Sequence, residues 1–260
     1  MRRSMSLHEK PLISIVIPNH NYGRWIEDAI DSVVYDDYSN KRIVVVDDGS
    51  TDGSARKVYG LLSDPKASES SGISGITGKY KKTDVEITLI ACNECRGPSA
   101  ARNIGIKFYW ENTDVYSFLD SDDMHISGKL KESLYALISG WGSIGAVYCD
   151  YINFDYENNI SFQQHKEAFC SEKILQECIM PSCNLVPKYV FEKIGLFDET
   201  MRVAEDWDLW IRMSKHFIAY HIPKNFTIVR TGGYNSTNVV SEEVWSKNWR
   251  RILEKIKNDK

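Results

Sequence analysis

The chain has 260 residues, 42% hydrophobic and 26% charged, the proportions of an ordinary globular protein and enough for one large α/β domain or two small ones. A formal net charge of -4 argues against a general nucleic-acid binder, and no apolar run nears the ~20 residues that span a bilayer. The amino terminus has two arginines with no apolar core behind them, so it does not read as a secretory signal, and the default is a cytoplasmic protein.

Leu12-Ile13-Ser14-Ile15-Val16-Ile17 is a β-branched run that stops at Pro18, the pattern of a short buried strand. Asn19-His20-Asn21-Tyr22-Gly23 reads as a turn, after which Trp25, Ile26, Ala29, Ile30 and Val33 recur at helical spacing. The turn holds no G-x-G-x-x-G, so a dinucleotide-binding fingerprint is absent. A second strand, Arg42-Ile43-Val44-Val45-Val46, runs into Asp47-Asp48-Gly49-Ser50-Thr51-Asp52-Gly53-Ser54. Those residues suit a turn and a helix cap, and they also put carboxylates at the strand's carboxyl end. Residues Ser63 to Thr83 are rich in Ser, Gly and Lys without periodicity and read as a flexible insertion. A third strand is expected near Val85 to Ala91. Gly97-Pro98-Ser99-Ala100-Ala101-Arg102 then opens a helix, with Pro98 and Ser99 in its first turn. On it, Arg102 is placed either to hold anionic phosphates or to pair with carboxylates.

Tyr116-Ser117-Phe118-Leu119 leads straight into Asp120-Ser121-Asp122-Asp123, three carboxylates at the carboxyl end of an expected strand. In open α/β sheets ligands bind at that edge. Mutual repulsion makes the cluster costly unless a cation or donors offset it, and oxygen ligands of this kind suit Mg2+ or Mn2+. The alternative is a solvated acidic turn. A calcium loop of the EF-hand type fits poorly, because its sixth position is His125 and its twelfth Lys131.

Further along, Leu130, Leu134, Leu137 and Ile138 suggest a helix, Gly145 to Cys149 a strand, and Tyr151 to Phe162 an antiparallel extension. Val190 to Glu199 begins as a short helix ended by Gly195. Trp207, Trp210 and Ile211 form the buried stripe of a helix that starts near Glu205, whose first-turn acids also suit the helix dipole. Of six cysteines, only Cys92 and Cys95 make a tight C-x-x-C pair, so small, reduced, buried residues are preferred to a zinc or redox site with Cys178 and Cys183. Near the carboxyl end, Trp245, Trp249, Ile252, Leu253 and Ile256 lie beside Lys247, Arg250, Arg251, Lys255 and Lys257. Such a basic amphipathic helix packs on its own domain or a second subunit in a homodimer, or lies on an anionic membrane. Strands alternating with helices and no convincing linker argue for a single α/β domain over residues 1–260 with a mostly parallel sheet.

Taken together, six motifs in order resemble the family 2 glycosyltransferases. They are Ile15 to Asn21, Val46 to Asp52, Gly97 to Gly105, Phe118 to Asp123, Gly195 to Glu199 and Glu205 to Trp210. The resemblance implies a GT-A fold: a Rossmann-like, mostly parallel central sheet flanked by helices, with a small antiparallel extension. It implies a nucleotide-sugar half at 12–125, an acceptor and catalytic-base half at 126–236, and a carboxyl-terminal helix at 237–260. Pro18, Asn19, His20, Asn21 and Asp48 then fall where the nucleotide base is held, with Arg96, Arg102, Asp120 and Ser121 along the rest of the nucleotide. Asp120 and Asp122 are the D-x-D pair, and with Asp123 they are the expected ligands of Mn2+ or Mg2+. Asp206 matches the catalytic base, supported by Glu205.

The activity implied is inverting transfer from a nucleotide-sugar donor, UDP-linked first and dTDP- or GDP-linked second, to a glycan or lipid-linked acceptor. No nucleic-acid partner is expected, and peripheral contact with the inner face of the membrane through 241–260 is the alternative to packing on the domain or a second subunit. A non-catalytic nucleotide- or glycan-binding module is the alternative of another class. The chain departs from the family pattern in three places. Thr231 stands where a histidine is common, Cys95 and Arg96 alter the segment before Ala100, and the Ser63 to Thr83 insertion has no family role.

Overall fold

The computed structural model describes residues 10–232 and 241–258. Positions 233–240, at the end of the expected acceptor half and the start of the carboxyl-terminal segment, therefore lie outside the described residues, as do 1–9 and 259–260. In chain order the elements are β1 (Ile13–Asn19), α1 (Ile26–Val34), β2 (Lys41–Asp47), α2 (Ser54–Gly60), β3 (Leu62–Ser70), β4 (Ile73–Tyr80), β5 (Glu86–Ala91) and α3 (Pro98–Phe108). There follow β6 (Val115–Phe118), β7 (Met124–His125), α4 (Lys129–Ser139), β8 (Ile144–Asp155), β9 (Ile160–Gln164) and β10 (Leu185–Pro187). The last are α5 (Lys188–Ile194), α6 (Glu205–Ser214), β11 (Ile218–Thr231) and α7 (Glu242–Asn258).

All strands join one sheet in the order β3-β4-β5-β2-β1-β6-β10-β8-β11-β7, with β9 added to β8. Its centre, β5-β2-β1-β6, is parallel throughout. Those strands are buried at nearly every position because both faces are covered. Ile13, Ile15, Ile17, Ile43 and Val45 face α1, α2 and α4 in one core, while Val16, Val44 and Val46 face α3, α5 and α6 in the other. Parallel strands end together, so the segments after Asn19, Asp47 and Phe118 emerge along one edge, and that edge carries the site.

Helix α3 lies close on this sheet through Gly105. A Cβ there would stand 2.6 Å from Val16 Cγ1 and 3.2 Å from Val44 Cγ1. Gly105→Val should cost about 1–3 kcal/mol by overpacking, read as a fall in Tm. An unchanged Tm would show that α3 can be displaced freely.

Residues 63–83 are not a flexible insertion. They form the β3–β4 hairpin, antiparallel within itself and to β5. Leu62 and Tyr80 are buried at its base, and Thr77 Oγ1 bonds both Ser68 and Thr88 hydroxyls. The sequence signal is weak because β3 is an edge strand, mostly exposed, and tolerates Pro65 beside a register shift. The antiparallel extension expected at Tyr151 to Phe162 is the β8–β9 hairpin. Gly195, at φ 78°, ends α5 in a conformation that other residues rarely adopt.

Helix α7 packs on its own domain. Ile252 is buried, Trp249 meets Trp207 at 4.7 Å between ring centres, and Lys255 Nζ pairs with Asp198 at 2.7 Å and Asp208 at 2.6 Å. Trp249 and Leu253 keep an exposed edge. No helix among the described residues is long and apolar enough to cross a membrane.

Candidate active site

The segments after β1 and β2 are knitted together. Asn19 Nδ2 donates to Asp47 Oδ1 at 2.6 Å and to Ser50 Oγ at 3.2 Å. Asn21 accepts the Thr51 N–H at 2.8 Å and donates its own backbone N–H to Ser50 Oγ at 2.9 Å. His20, exposed, donates from Nδ1 to the Asp48 carbonyl at 2.7 Å, and Pro18 is half-buried beside it. The Asp48 carboxylate is occupied within the chain, accepting the backbone N–H of Arg96 at 2.9 Å and of Gly97 at 2.7 Å. It therefore holds the Cys95–Gly97 turn against the edge. The Arg96 side chain leaves this group and pairs with Glu199 at 3.1 Å near the surface.

Arg102 is the hinge of the site. It reaches from α3 between two carboxylates, with Nη2 2.7 Å from Asp120 and Nη1 2.5 Å from Glu205. Of the two placements open in the sequence, the structure shows the carboxylate pairing. Burial works against its charge, and Asp120 and Glu205 more than offset that, so the guanidinium's pKa is raised. Asp120 is held at its second oxygen by Ser182 Oγ at 2.9 Å. Glu205 and Asp206 open α6 just after Ala204, a non-glycine residue at φ 57°. Left-handed backbone of this kind is uncommon outside glycine and aims the first turn of α6 at Arg102. Asp206 accepts the Trp207 N–H at 2.7 Å. Burial first, then Glu205, push its pKa up to about 7, against the pull of Arg102.

The remaining acids lie beside this bridge. Ser121 is buried and Asp122 half-buried. Burial, then Asp120, raise Asp122 to about 7, and burial, then Asp122 and Asp120, raise Asp123 well above its ordinary value. Asp123 accepts the Arg230 N–H at 3.0 Å, and Arg230 Nη1 donates to the Asp122 carbonyl at 2.8 Å. Arg230 also pairs with Asp28 at 2.7 Å and stacks 4.3 Å from the centre of Trp25. Thr231 is half-buried at the end of β11.

Ligand atoms of Asp120, Asp123 and Cys183 lie within 4.8 Å of one another. Burial, then Asp120 and Asp123, push the Cys183 thiol up, which keeps it protonated and a poor ligand. The donors that remain in that cluster are carboxylate oxygens of Asp120 and Asp123, a set that fits a hard divalent cation. Sequence reasoning missed Ser182, Arg230, Asp28 and Trp25. Arg230 adjoins Thr231, the position the sequence singles out there, and Ser182 is 62 positions from Asp120 with no local signal.

Residues 14–195 match the family model described as glycosyl transferase family 2. An uncharacterised glycosyltransferase of Rickettsia typhi is 27% identical over 256 residues, covering 95% of this chain and 73% of that protein. The putative teichuronic acid biosynthesis glycosyltransferase TuaG of Bacillus subtilis is 30% identical over 125 residues, 48% of this chain and 41% of that one. Among solved structures, S. aureus TarS 1–349 in complex with UDP superposes with a TM-score of 0.68 at 17% identity, over 93% of this chain and 64% of that one. The mannosyltransferase PcManGT of Pyrobaculum calidifontis, in complex with GDP-Man and Mn2+, gives 0.60 at 18% identity, over 85% of this chain and 57% of that one. The chain thus spans less than two-thirds of either solved chain, and these two likenesses bear on the fold alone. The fold is the α/β GT-A arrangement, and the chain belongs to glycosyl transferase family 2 and is a glycosyltransferase.

Proposed function

We propose that the chain moves a sugar from a nucleoside-diphosphate donor, UDP-linked by preference, to a hydroxyl of a glycan or lipid-linked acceptor in assembly of a polysaccharide or glycoconjugate. One observation carries the reading. Arg102 draws the D-x-D carboxylate Asp120 and the base-side carboxylate Glu205 onto a single buried cation, so donor-side and acceptor-side chemistry meet at one point. A nucleotide-binding module that does no chemistry has no use for the second pair.

Residues 12–125 form the donor half in this reading and 126–236 the acceptor half. Asn19, His20 and Asn21 shape the nucleotide pocket, with Asp48 securing its wall through the Arg96 and Gly97 amides. Asp120 and Asp122, with Asp123 beside them, would hold Mn2+ or Mg2+, and that cation would offset the charge of the departing diphosphate by several kcal/mol. Asp206 takes the proton of the attacking hydroxyl. A single in-line displacement of this kind inverts the anomeric centre and needs no enzyme nucleophile.

UDP is preferred because S. aureus TarS, whose fold superposes well, binds UDP and UDP-GlcNAc. A GDP-linked donor is the second reading, supported by the GDP-Man complex of PcManGT. Incubation with UDP- and GDP-sugars separates the two by which free nucleotide is released. Release from neither, in the presence of Mn2+ and membranes as a source of acceptor, would count against the reading.

Asp122→Ala should weaken Mn2+-dependent nucleotide binding by at least tenfold, about 1.4 kcal/mol, in a calorimetric titration. Unchanged affinity would remove Asp122 as a ligand. The membrane contact belongs to the same reading, through the exposed Trp249 and Leu253 of α7. The intact protein should float with anionic liposomes and a variant lacking Ser241 to Lys260 should not; failure of the intact protein to float ends that part.

A further inference from the structure

We infer that Arg102 is a positioning residue that makes the base helix sense whether the donor-side carboxylates are occupied. The inference rests on the cation site proposed above and goes beyond it, because it assigns a coupling between the two halves of the site.

A single guanidinium, 4% exposed, serves two carboxylates on different elements. Asp120 belongs to the segment after β6, and Glu205 to the first turn of α6. No direct bond between these two elements is needed, because the arginine's planar fork presents separate N–H groups to each. Its Nε is buried and has no acceptor among the described residues. A buried donor left unpaired is costly, so this arrangement of the fork is not fully satisfied, and a shift of either carboxylate changes what it bonds.

The consequence follows from charge. With no cation present, Asp120 shares Arg102 with Glu205. A cation that takes Asp120 withdraws it from that sharing, and the guanidinium charge falls more fully on Glu205. Glu205 is adjacent to Asp206, and Asp206 accepts the Trp207 N–H within the same first turn at 2.7 Å. The Asp208 N–H closes the first helical bond, to Ala204, at 3.1 Å. Tightening at Glu205 is therefore transmitted within one turn to the base. By linkage the reverse also holds, and a firmly placed base favours cation binding. The result is an order of events in which the base is set once a donor is in place.

The test is amide hydrogen exchange of the intact chain across residues 203–210, with and without saturating Mn2+, while Mn2+ binding is measured separately by loss of the free-ion resonance signal. Mn2+ should slow exchange at Trp207 and Asp208 by about fivefold or more, the lower end of ordinary coupling between sites. Arg102→Lys keeps the charge but loses the fork, and Glu205→Gln keeps the shape but loses the charge; each should still bind Mn2+ and lose the exchange response. A wild-type chain that binds Mn2+ without any change at 203–210 would overturn the coupling and leave the cation site standing. A normal response in Glu205→Gln would overturn it equally. Absence of Mn2+ binding in the wild type would remove the cation site, and the coupling as stated would fall with it.

Discussion

Asp206→Asn should leave nucleotide affinity intact and lower sugar transfer by about 10²–10⁴-fold, the usual contribution of a positioned general base. The substitution keeps the size of the side chain and an oxygen to accept the Trp207 N–H, so the first turn of α6 stays in place. What it removes is the ability to take a proton. Burial, then Glu205, lift the Asp206 pKa to about 7, which matches a base to near-neutral work. The rate should accordingly fall on the acid side of about pH 7, with transfer measured as kcat/KM across the pH range. An acid limb near the ordinary carboxylate value of 3.8, or near-normal transfer by the Asn variant, would remove Asp206 as the base.

Stability runs the other way over the same window. An acid whose folded pKa is raised binds its proton more tightly when folded, so its contribution is fully present below the unfolded value and is lost as pH rises through the folded one. For Asp206 and Asp122 that loss spans the interval between 3.8 and about 7. The site is therefore ionised for work at some expense to the fold, the usual condition of a functional cluster.

Arg102→Met should destabilise the chain by about 3 kcal/mol, measured by denaturant unfolding. Removing one partner of a buried ion pair typically costs ~3–5 kcal/mol, because the other charge stays buried and uncompensated. Here Asp120 is about a third exposed and partly hydrated, which places the effect at the lower end. Glu205 is the more costly orphan, with only 11% of its side chain exposed and Asp206 beside it. A variant as stable as the wild type would mean that the two carboxylates find other partners. Transfer should be lost in the same variant, since neither the donor-side acid nor the base helix keeps its anchor.

Much of the fold is legible in the chain because its centre obeys one simple rule. Strands covered on both faces are mostly apolar, and Ile13 to Ile17, Arg42 to Val46 and Tyr116 to Phe118 announce themselves in that way. Their carboxyl ends are equally plain, because acids follow two of them directly. Elements at the edge of the sheet obey no such rule. The β3–β4 hairpin keeps most of its side chains in water, so its Ser, Gly and Lys content looks like a loop. Of the site, the carboxylates are legible and their electrostatic partners are not. Arg102 could be placed near the edge, yet its choice of Glu205, 103 positions away, depends on how α6 is aimed by the backbone at Ala204. Arg230 and Ser182 act through contacts of the same long range, which no local pattern encodes.

The most direct measurement is a calorimetric titration of the wild-type chain with UDP, in Mn2+ and again with chelator. UDP should bind saturably in Mn2+ and at least tenfold more weakly when the cation is removed, about 1.4 kcal/mol. UDP binding indifferent to chelator, or absent in both conditions, would contradict the claim that Asp120, Asp122 and Asp123 hold a cation-bound nucleoside diphosphate of that kind.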